Sequence, residues 1–190
     1  MIYTRQTGIT LLELAVCMGI MAILTMGISG MLMNSVKMQM MADSEAQQQS
    51  IAQQLTADLR ADLKISNNFT VTGSDVGLSA NLPLGQVVYS LQNGFIKRVY
   101  TPTGGSAVEK RYPDADQYNM NMRLNCTSPC FQLTSITNAS STYLNRILTM
   151  NRAVIADNRT LQNNQAGAGR WKSFTFGPTE FRVISNSQFN

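Results

Sequence analysis

Glu13 has the most unusual chemical setting in this chain, because it stands directly before an uncharged run. Positions Leu14 to Met33 hold no charged side chain, and about 20 apolar residues are enough to cross the hydrocarbon core of a bilayer as a helix. An unpaired carboxylate in such a run costs on the order of 3 kcal/mol on insertion scales. Glu13 therefore needs either a water-exposed interface or a positive partner.

A positive partner would arise if the chain were cut between Gly8 and Ile9. The new α-amino group would lie one helical turn before Glu13 and would be equally available to a neighbouring copy. A charge pair at about 4 Å attracts by roughly 4 kcal/mol at an effective dielectric of about 20, before desolvation is subtracted. Such a pair could fix the register between stacked helices.

Cys126 and Cys130 form the second chemically informative pair. The residues between them include Ser128 and Pro129, which permits a tight turn closed by a disulfide if the two Cα atoms come within about 7 Å. A redox-active pair would favour two intervening residues, and a structural zinc site needs four ligands. We therefore expect a structural disulfide in an oxidising compartment.

Arg170, Trp171 and Lys172 form the candidate ligand patch of this sequence. From Phe69 onward the chain carries 11 Lys and Arg against 6 Asp and Glu, and aromatic and cationic groups together can stack on and follow single-stranded nucleic acid or an acidic sugar. The alternative is that strands expose these basic residues to solvent. We favour the alternative, because no compact basic cluster is visible in the sequence.

The residue types present do not favour an enzyme. The chain has no histidine, which removes the usual general base and the commonest metal ligand. Asp114 and Asp116 fall short of the six to eight oxygen ligands that calcium takes. We expect no enzyme activity, no catalytic residues, no bound metal and no cofactor.

Gly8, followed by Ile9-Thr10-Leu11-Leu12-Glu13 and the uncharged run, resembles the processing and assembly signal of type IV prepilins and type II secretion pseudopilins. In that family a membrane aspartyl peptidase cuts after the glycine and methylates the new amine, and the glutamate guides entry into the filament. The resemblance thus implies cleavage after Gly8, N-methylation of Ile9 and an assembly role for Glu13. Gly30 stands where major pilins usually carry a helix-kinking proline, which favours a minor subunit.

One long helix is expected to carry this signal, since no proline occurs before Pro83. An apolar stripe recurs every four residues, which is a helical period. The stripe comprises Ile51, Leu55, Leu59 and Leu63. The run Ala46 to Ser50 is predicted to be a solvated part of the helix, with contacts between its glutamines and neighbouring residues as the alternative. The domain organisation is then a leader at 1–8, a transmembrane and filament-core helix at 9–33, its amphipathic continuation at 34–68 and a β-rich head at 69–190.

After Asn68 the pattern becomes strand-like. Asn93-Gly94 between Val87–Gln92 and Phe95–Tyr100 is a strong hairpin signal, because both turn positions need positive φ. That register places Tyr89 opposite Arg98, on the face expected to pack on the apolar helix stripe.

Three further segments of the head carry local signals. Residues 101–118 are rich in proline, glycine and charge and are predicted to be a surface loop. Phe131–Thr137 alternates like a strand, and Trp171–Phe176 with Glu180–Ile184 suggests a second hairpin.

The helix followed by a hairpin with Lys97-Arg98 also resembles, more loosely, the minor pilin W and pseudopilin J group. The fold expected is α+β: a long N-terminal transmembrane helix packed on an antiparallel sheet, like a type IV pilin. Arg5 favours a cytoplasmic N-terminus. The chain would be a single-pass inner-membrane protein with a periplasmic head, and later part of a filament in the periplasm or at the cell surface.

The expected function is that of a minor pilin in a type IV pilus-like filament, with prepilin peptidase and other pilin or pseudopilin subunits as partners. Two alternatives stay open. The first is a minor pseudopilin of a type II secretion system. The second is a membrane-anchored module that binds DNA or another ligand.

Overall fold

A single long helix opens the described part of the chain. The computed structural model describes residues 10–72, 77–92, 94–114, 122–136, 144–157 and 173–185. Helix α1 runs from Leu11 to Ile65. The absence of proline before Pro83 allows this length, since proline would remove a backbone donor and break the helix. The chain divides into two compact units, Met1–Ala42 and Asp43–Asn190.

The second unit contains a five-stranded antiparallel sheet in which each strand pairs with the next in sequence. Its strands are β1 (Asn68–Thr72), β2 (Gly77–Leu82), β3 (Gly85–Gln92), β4 (Phe95–Pro102) and β5 (Val108–Tyr112). The predicted hairpin is confirmed as β3 and β4, with Tyr89 opposite Arg98. Gly94 has φ +91° in the turn, a conformation that glycine adopts without steric cost.

Among the residues that the structure describes, six further strands form two three-stranded antiparallel sheets, with orders β10-β9-β6 and β11-β8-β7. They are β6 (Met122–Cys126), β7 (Phe131–Ile136), β8 (Leu144–Met150), β9 (Ala153–Asp157), β10 (Phe174–Phe176) and β11 (Thr179–Ser185).

These two small sheets are one three-stranded layer that is bent across a common line. In each of the pairs β6/β7, β8/β9 and β10/β11, the second strand follows the first directly in sequence. The strands of the β8/β9 pair lie in the middle of the two sheets, with β6/β7 on one side and β10/β11 on the other. The breaks fall at 127–130, at Asn151-Arg152 and at Gly177-Pro178. Backbone hydrogen bonds Thr127 N–H to Arg152 O (2.8 Å) and Asn151 N–H to Cys130 O (2.9 Å) cross the bend.

The core of the second unit forms where α1 meets the sheets. The stripe Ile51, Leu55, Leu59 and Leu63 is buried, as the four-residue period predicted. It joins one hydrophobic cluster with side chains from all three sheets, including Phe69, Tyr89, Leu124, Leu148 and Ile155. Burying such side chains stabilises the fold by about 1.5–3 kcal/mol each.

The α+β architecture expected from the sequence is confirmed: a long apolar N-terminal helix precedes antiparallel sheets. The strand predicted at 131–137 is also confirmed, as β7.

Two local expectations were wrong, and a third was confirmed only in part. Residues 101–118 are not all loop, because Val108–Tyr112 pairs with β4. The hairpin expected from 171–184 does not form, since β10 pairs with β9 and β11 with β8. In the run 46–50, Ala46, Gln47 and Gln49 are exposed, as predicted. Gln48 is buried, and its side-chain amide donates to the buried Ser44 hydroxyl (Nε2–Oγ 3.4 Å), which in turn donates to Asp157 (3.3 Å).

Gly177→Ala should destabilise the bent layer more than a matched glycine change elsewhere. Gly177 has φ +89°, and a Cβ there would lie 3.1 Å from Asn151 O. Gly104 has a similar φ of +81° but open space around it. We expect Gly104→Ala to cost about 1 kcal/mol from backbone strain alone, and Gly177→Ala about 2 kcal/mol. Denaturant unfolding of the full-length chain measures both, and equal losses would contradict the close approach at the bend.

Candidate functional site

The N-terminal part of α1 exposes apolar surface along its whole length. Residues 10–40 are all exposed, including Leu11 at 86% and Met26 at 78% of their full accessible area. The most apolar stretch has a mean hydropathy of 2.2, and by length and composition the helix could cross a membrane. This surface suits membrane anchoring, because lipid or neighbouring apolar helices would remove it from water.

Glu13 lies in the first turn of α1 and contacts Thr10. The Thr10 backbone N–H and hydroxyl both donate to Glu13 Oε2, at 3.0 and 3.1 Å, and the Glu13 N–H donates back to the Thr10 hydroxyl at 3.3 Å. This reciprocal pair is a capping box, which satisfies backbone donors at a helix start. The Thr10 hydroxyl is a partner for Glu13 beyond water and a new amine, and Thr-x-x-Glu before an apolar run is the sequence signal for this cap.

The capping box occupies one carboxylate oxygen of Glu13. Within the part of the chain that the structure describes, Oε1 accepts no hydrogen bond. Because a carboxylate can accept through both oxygens, a second donor could bind without breaking the cap. Gly8 and Ile9, the predicted cleavage and methylation site, lie outside the described residues, as does the predicted ligand patch Arg170, Trp171 and Lys172.

A buried ion pair joins α1 to the five-stranded sheet. Asp62, only 6% exposed, accepts two hydrogen bonds from the Arg98 guanidinium, both at 2.8 Å, in a bidentate arrangement. The Tyr89 hydroxyl donates to the same carboxylate at 2.5 Å. These three hydrogen bonds offset the desolvation of the carboxylate, because a buried charge without partners would destabilise the fold by several kcal/mol.

A second, more exposed cluster lies one helical turn earlier, at Asp58. Its carboxylate accepts hydrogen bonds from Lys110 Nζ at 2.5 Å and from the Tyr112 hydroxyl. Pairing in the sheet explains the arrangement, because Tyr89, Arg98 and Lys110 are direct neighbours across β3, β4 and β5. Two carboxylates spaced by four residues on the helix thus meet one row of polar side chains on the sheet.

The protonation states follow from these contacts. Burial disfavours the Asp58 carboxylate, but hydrogen bonds from Lys110 and Tyr112 and the nearby positive charges outweigh it and hold the pKa of Asp58 below its ordinary value. Burial and the hydrogen bond to Asp62 raise the pKa of Tyr89 well above its ordinary value. The Asp58 carboxylate therefore stays charged at neutral pH, and the Tyr89 hydroxyl keeps its proton and stays a hydrogen-bond donor.

Cys126 and Cys130 are joined by a disulfide, with their Cα atoms 5.3 Å apart. The bond closes the short loop between β6 and β7, at one end of the bend in the three-stranded layer. The Asn151 side chain donates to Pro129 O at 2.6 Å and ties this loop to the neighbouring strand.

The described residues offer no obvious metal chemistry. Among them, no three His, Cys, Asp or Glu side chains come together to hold an ion. The carboxylates of Asp58 and Asp62 are instead committed to cations and tyrosines. These clusters serve to fasten the helix to the sheet.

Comparison with known families identifies the N-terminal segment. The prokaryotic N-terminal methylation motif matches residues 3–29, which include Gly8, Ile9 and Glu13. The chain therefore carries the prepilin-type signal of type IV pilins, and the motif indicates a pilin- or pseudopilin-like subunit that is processed as a prepilin. No curated protein and no solved structure matches the chain.

Such a signal implies processing by a prepilin peptidase and assembly with other pilin subunits. It points to a structural subunit.

Asp62→Ala should destabilise the second unit far more than Asp58→Ala. Removing Asp62 leaves Arg98 and the buried Tyr89 hydroxyl without their acceptor, and we expect a loss of about 3 kcal/mol. The Asp58 pair is more exposed, so its removal should cost about 1 kcal/mol. Denaturant unfolding of the full-length chain compares them, and an equal loss from both variants would contradict the ranking.

Proposed function

We propose that this protein is a minor pilin, a structural subunit of a type IV pilus-like filament. The methylation motif at residues 3–29 carries this proposal. In this account the leader 1–8 is removed by cleavage after Gly8, the new terminus at Ile9 is methylated, and the chain enters a filament through the helix at 9–33. The continuation of the helix at 34–68 supports the head at 69–190, which the filament displays.

The exposed apolar helix supports assembly as the purpose of this processing. A helix with such a surface is stable in a bilayer, and transfer into a bundle of like helices replaces lipid contacts with side-chain packing. Methionine is frequent along the exposed part, including Met18, Met21, Met31 and Met38. Its unbranched side chain adapts to irregular gaps, which suits packing against several different neighbours.

Glu13 provides a charged contact between neighbouring subunits during assembly. In the single chain its Oε2 is held by Thr10. Cleavage after Gly8 creates an ammonium group at Ile9, and the Ile9 amine of an adjacent subunit would pair with the remaining oxygen. In a low-dielectric bundle such a pair strongly favours the one register in which both charges meet. The carboxylate thereby selects the correct stagger between helices.

A minor rather than a major subunit is favoured by Gly30, at a position where major pilins usually carry proline, and by the basic excess of the head. A minor pseudopilin of a type II secretion system would use the same helix and the same processing. The neighbouring genes would separate the two machines, because a pilus cluster and a secretion cluster encode different partners.

The terminus of the mature chain is the first test. We expect mass spectrometry of the full chain, extracted from membranes that contain a prepilin peptidase, to show an Ile9 terminus that is one methyl group heavier. Gly8→Val should remain uncut in the same membranes. A mature chain that still begins at Met1 would refute the proposal.

Glu13→Gln separates the charge of Glu13 from its capping role. The amide can still accept from Thr10 and keep the helix start, but it cannot pair with an ammonium. We expect Glu13→Gln and Glu13→Ala both to be inserted and cut after Gly8, and both to enter filaments at least about tenfold less than the unmodified chain. Quantitative immunoblotting of sheared filaments measures this.

Normal incorporation of Glu13→Gln, with loss only in Glu13→Ala, would show that the cap matters and the charge does not. Thr10→Ser keeps the capping hydroxyl and serves as the control that should assemble normally.

A further inference from the structure

A basic cleft lies between the last turns of α1 and the outer strand β11. It encloses about 410 Å³, and Leu63 and Phe181, both buried, form its floor. Its walls carry three cations and one carboxylate: Arg60 and Lys64 on the helix, and Glu180 and Arg182 on the strand. Because cations stand on both walls above an apolar floor, the cleft favours a ligand that combines negative charge with apolar groups.

The cations of the cleft form no ion pair among the described residues. Arg60, Lys64 and Arg182 are separate from the ion pairs that fasten α1 to the sheet, which use other cations. Arg60 and Lys64 also lie four residues apart on the helix, a spacing at which like charges repel. A carboxylate bound between them would remove that repulsion.

Among the described strands, β11 stands at the edge of its sheet. It pairs with β8 alone, and within the part of the chain that the structure describes no other backbone hydrogen bond reaches it. Three consecutive residues, Glu180 to Arg182, line the cleft, so about 10 Å of this edge borders it. Such an edge presents backbone N–H and C=O groups that can pair with an added strand.

A strand edge beside unpaired cations favours an extended acidic peptide over other anions. Main-chain hydrogen bonds to an edge provide affinity, and side chains that alternate along the added strand provide specificity. In β11, Phe181 is buried while Glu180 and Arg182 on the opposite face are exposed. An added strand could cover the floor with apolar residues and carry carboxylates to the rim, where long cationic side chains can pair with them. A nucleic acid could use the cations but could not pair with the strand edge.

The carboxylates of this chain do not suit the cleft. Among the described residues, the Asp and Glu side chains outside the cleft have other partners, except Asp43 and Glu45. Both belong to α1, and a helical backbone makes its hydrogen bonds within the helix, so neither can belong to an added strand. Asp75 and Asp116 lie outside the described residues and are tested below.

We propose that the cleft binds an extended acidic segment of a different pilin subunit, which adds to β11 as an edge strand. The identity of the partner rests on the proposed filament role, because a minor subunit has other subunits as its neighbours. The segment carries alternating acidic and apolar residues. Because main-chain pairing with such a pattern fixes the register, the contact also sets the orientation of the head on its neighbour.

Binding of a defined peptide to the purified full-length chain in detergent tests the ligand class. The probe is a fluorescent peptide, Thr-Glu-Val-Glu-Val-Glu-Thr. One control peptide has Gln in place of each Glu, and the other is N-methylated at its three central residues. We expect both controls to bind at least about tenfold more weakly in fluorescence anisotropy, because the first lacks the charges and the second lacks the main-chain donors. No binding of the probe, or equal binding of either control, would overturn the proposal.

Charge removal in the cleft has a matched control at the bend of the three-stranded layer. Arg60→Gln with Lys64→Gln should weaken binding of the probe at least about tenfold. Arg152 is exposed and forms no ion pair among the described residues, and Arg152→Gln should have no effect. Equal effects of the two changes would contradict the site.

Two other occupants give distinct results in the same assay. Tighter binding of the probe after Asp75→Asn or Asp116→Asn would show that a carboxylate of this chain fills the cleft. An oligothymidylate that binds as tightly as the probe, and is lost with Arg60→Gln and Lys64→Gln, would assign the cleft to nucleic acid. Either result would overturn the proposal, which predicts neither.

Photo-cross-linking in cells that assemble the filament identifies the partner. p-Benzoylphenylalanine replaces Ser66, which borders the cleft, or Gln132, an exposed control position on β7. We expect an adduct at position 66 that maps by mass spectrometry to an acidic extended segment of a different pilin subunit. The adduct should be absent from the control and at least about tenfold weaker with Arg60→Gln and Lys64→Gln. An adduct with a second copy of this chain, or one that ignores the cleft charges, would overturn the proposal.

The two tests separate this contact from the proposed function. If the unmodified chain never entered filaments while the probe bound the cleft, the proposed function and the partner's identity would fall, and the acidic-strand site would stand. Filaments that contain the chain but give no adduct at position 66 would overturn the contact alone.

Discussion

The constraint on which this structure depends is the exposed apolar surface at the start of α1. Residues 10–40 expose nearly every side chain, and the uncharged run has no covering partner within the described chain. Water is a poor environment for such a surface, so the segment must reside in lipid or among other helices. In the proposed filament, Glu13 would make the second of these environments selective, because a carboxylate at the edge of an apolar bundle is stable only where a donor meets it.

One continuous helix meets two different requirements along its length. Its first part presents apolar residues all round, which suits a bilayer or a bundle. From Ser44 onward the buried residues fall on one face, and Asp62 adds a bidentate pair with Arg98 to the apolar contacts. Hydrophobic burial supplies most of the stability there, while the ion pair fixes which turn of the helix faces which strand.

The sequence predicted the elements with a strong local period and failed where distant residues decide. The helix stripe and the β3–β4 hairpin were predictable because spacing and Asn-Gly turn chemistry specify them locally. The burial of Asp62 was not, since its partners are 27 and 36 positions away in sequence. Strands β10 and β11 resemble a hairpin, yet the bend at Gly177-Pro178 sends each to a different neighbour. The cap of Glu13 by Thr10 is, by contrast, specified locally by the Thr-x-x-Glu spacing.

In the proposed filament, Glu13 keeps its own cap and pairs with the amine of a neighbouring subunit. Electron cryomicroscopy of filaments that contain the mature chain tests this most directly. We expect a Glu13 carboxylate oxygen within about 4 Å of the Ile9 nitrogen of an adjacent subunit, with Thr10 still at the helix start. Filaments in which the Glu13 carboxylate contacts only Thr10 of its own chain, and no neighbouring amine, would contradict it.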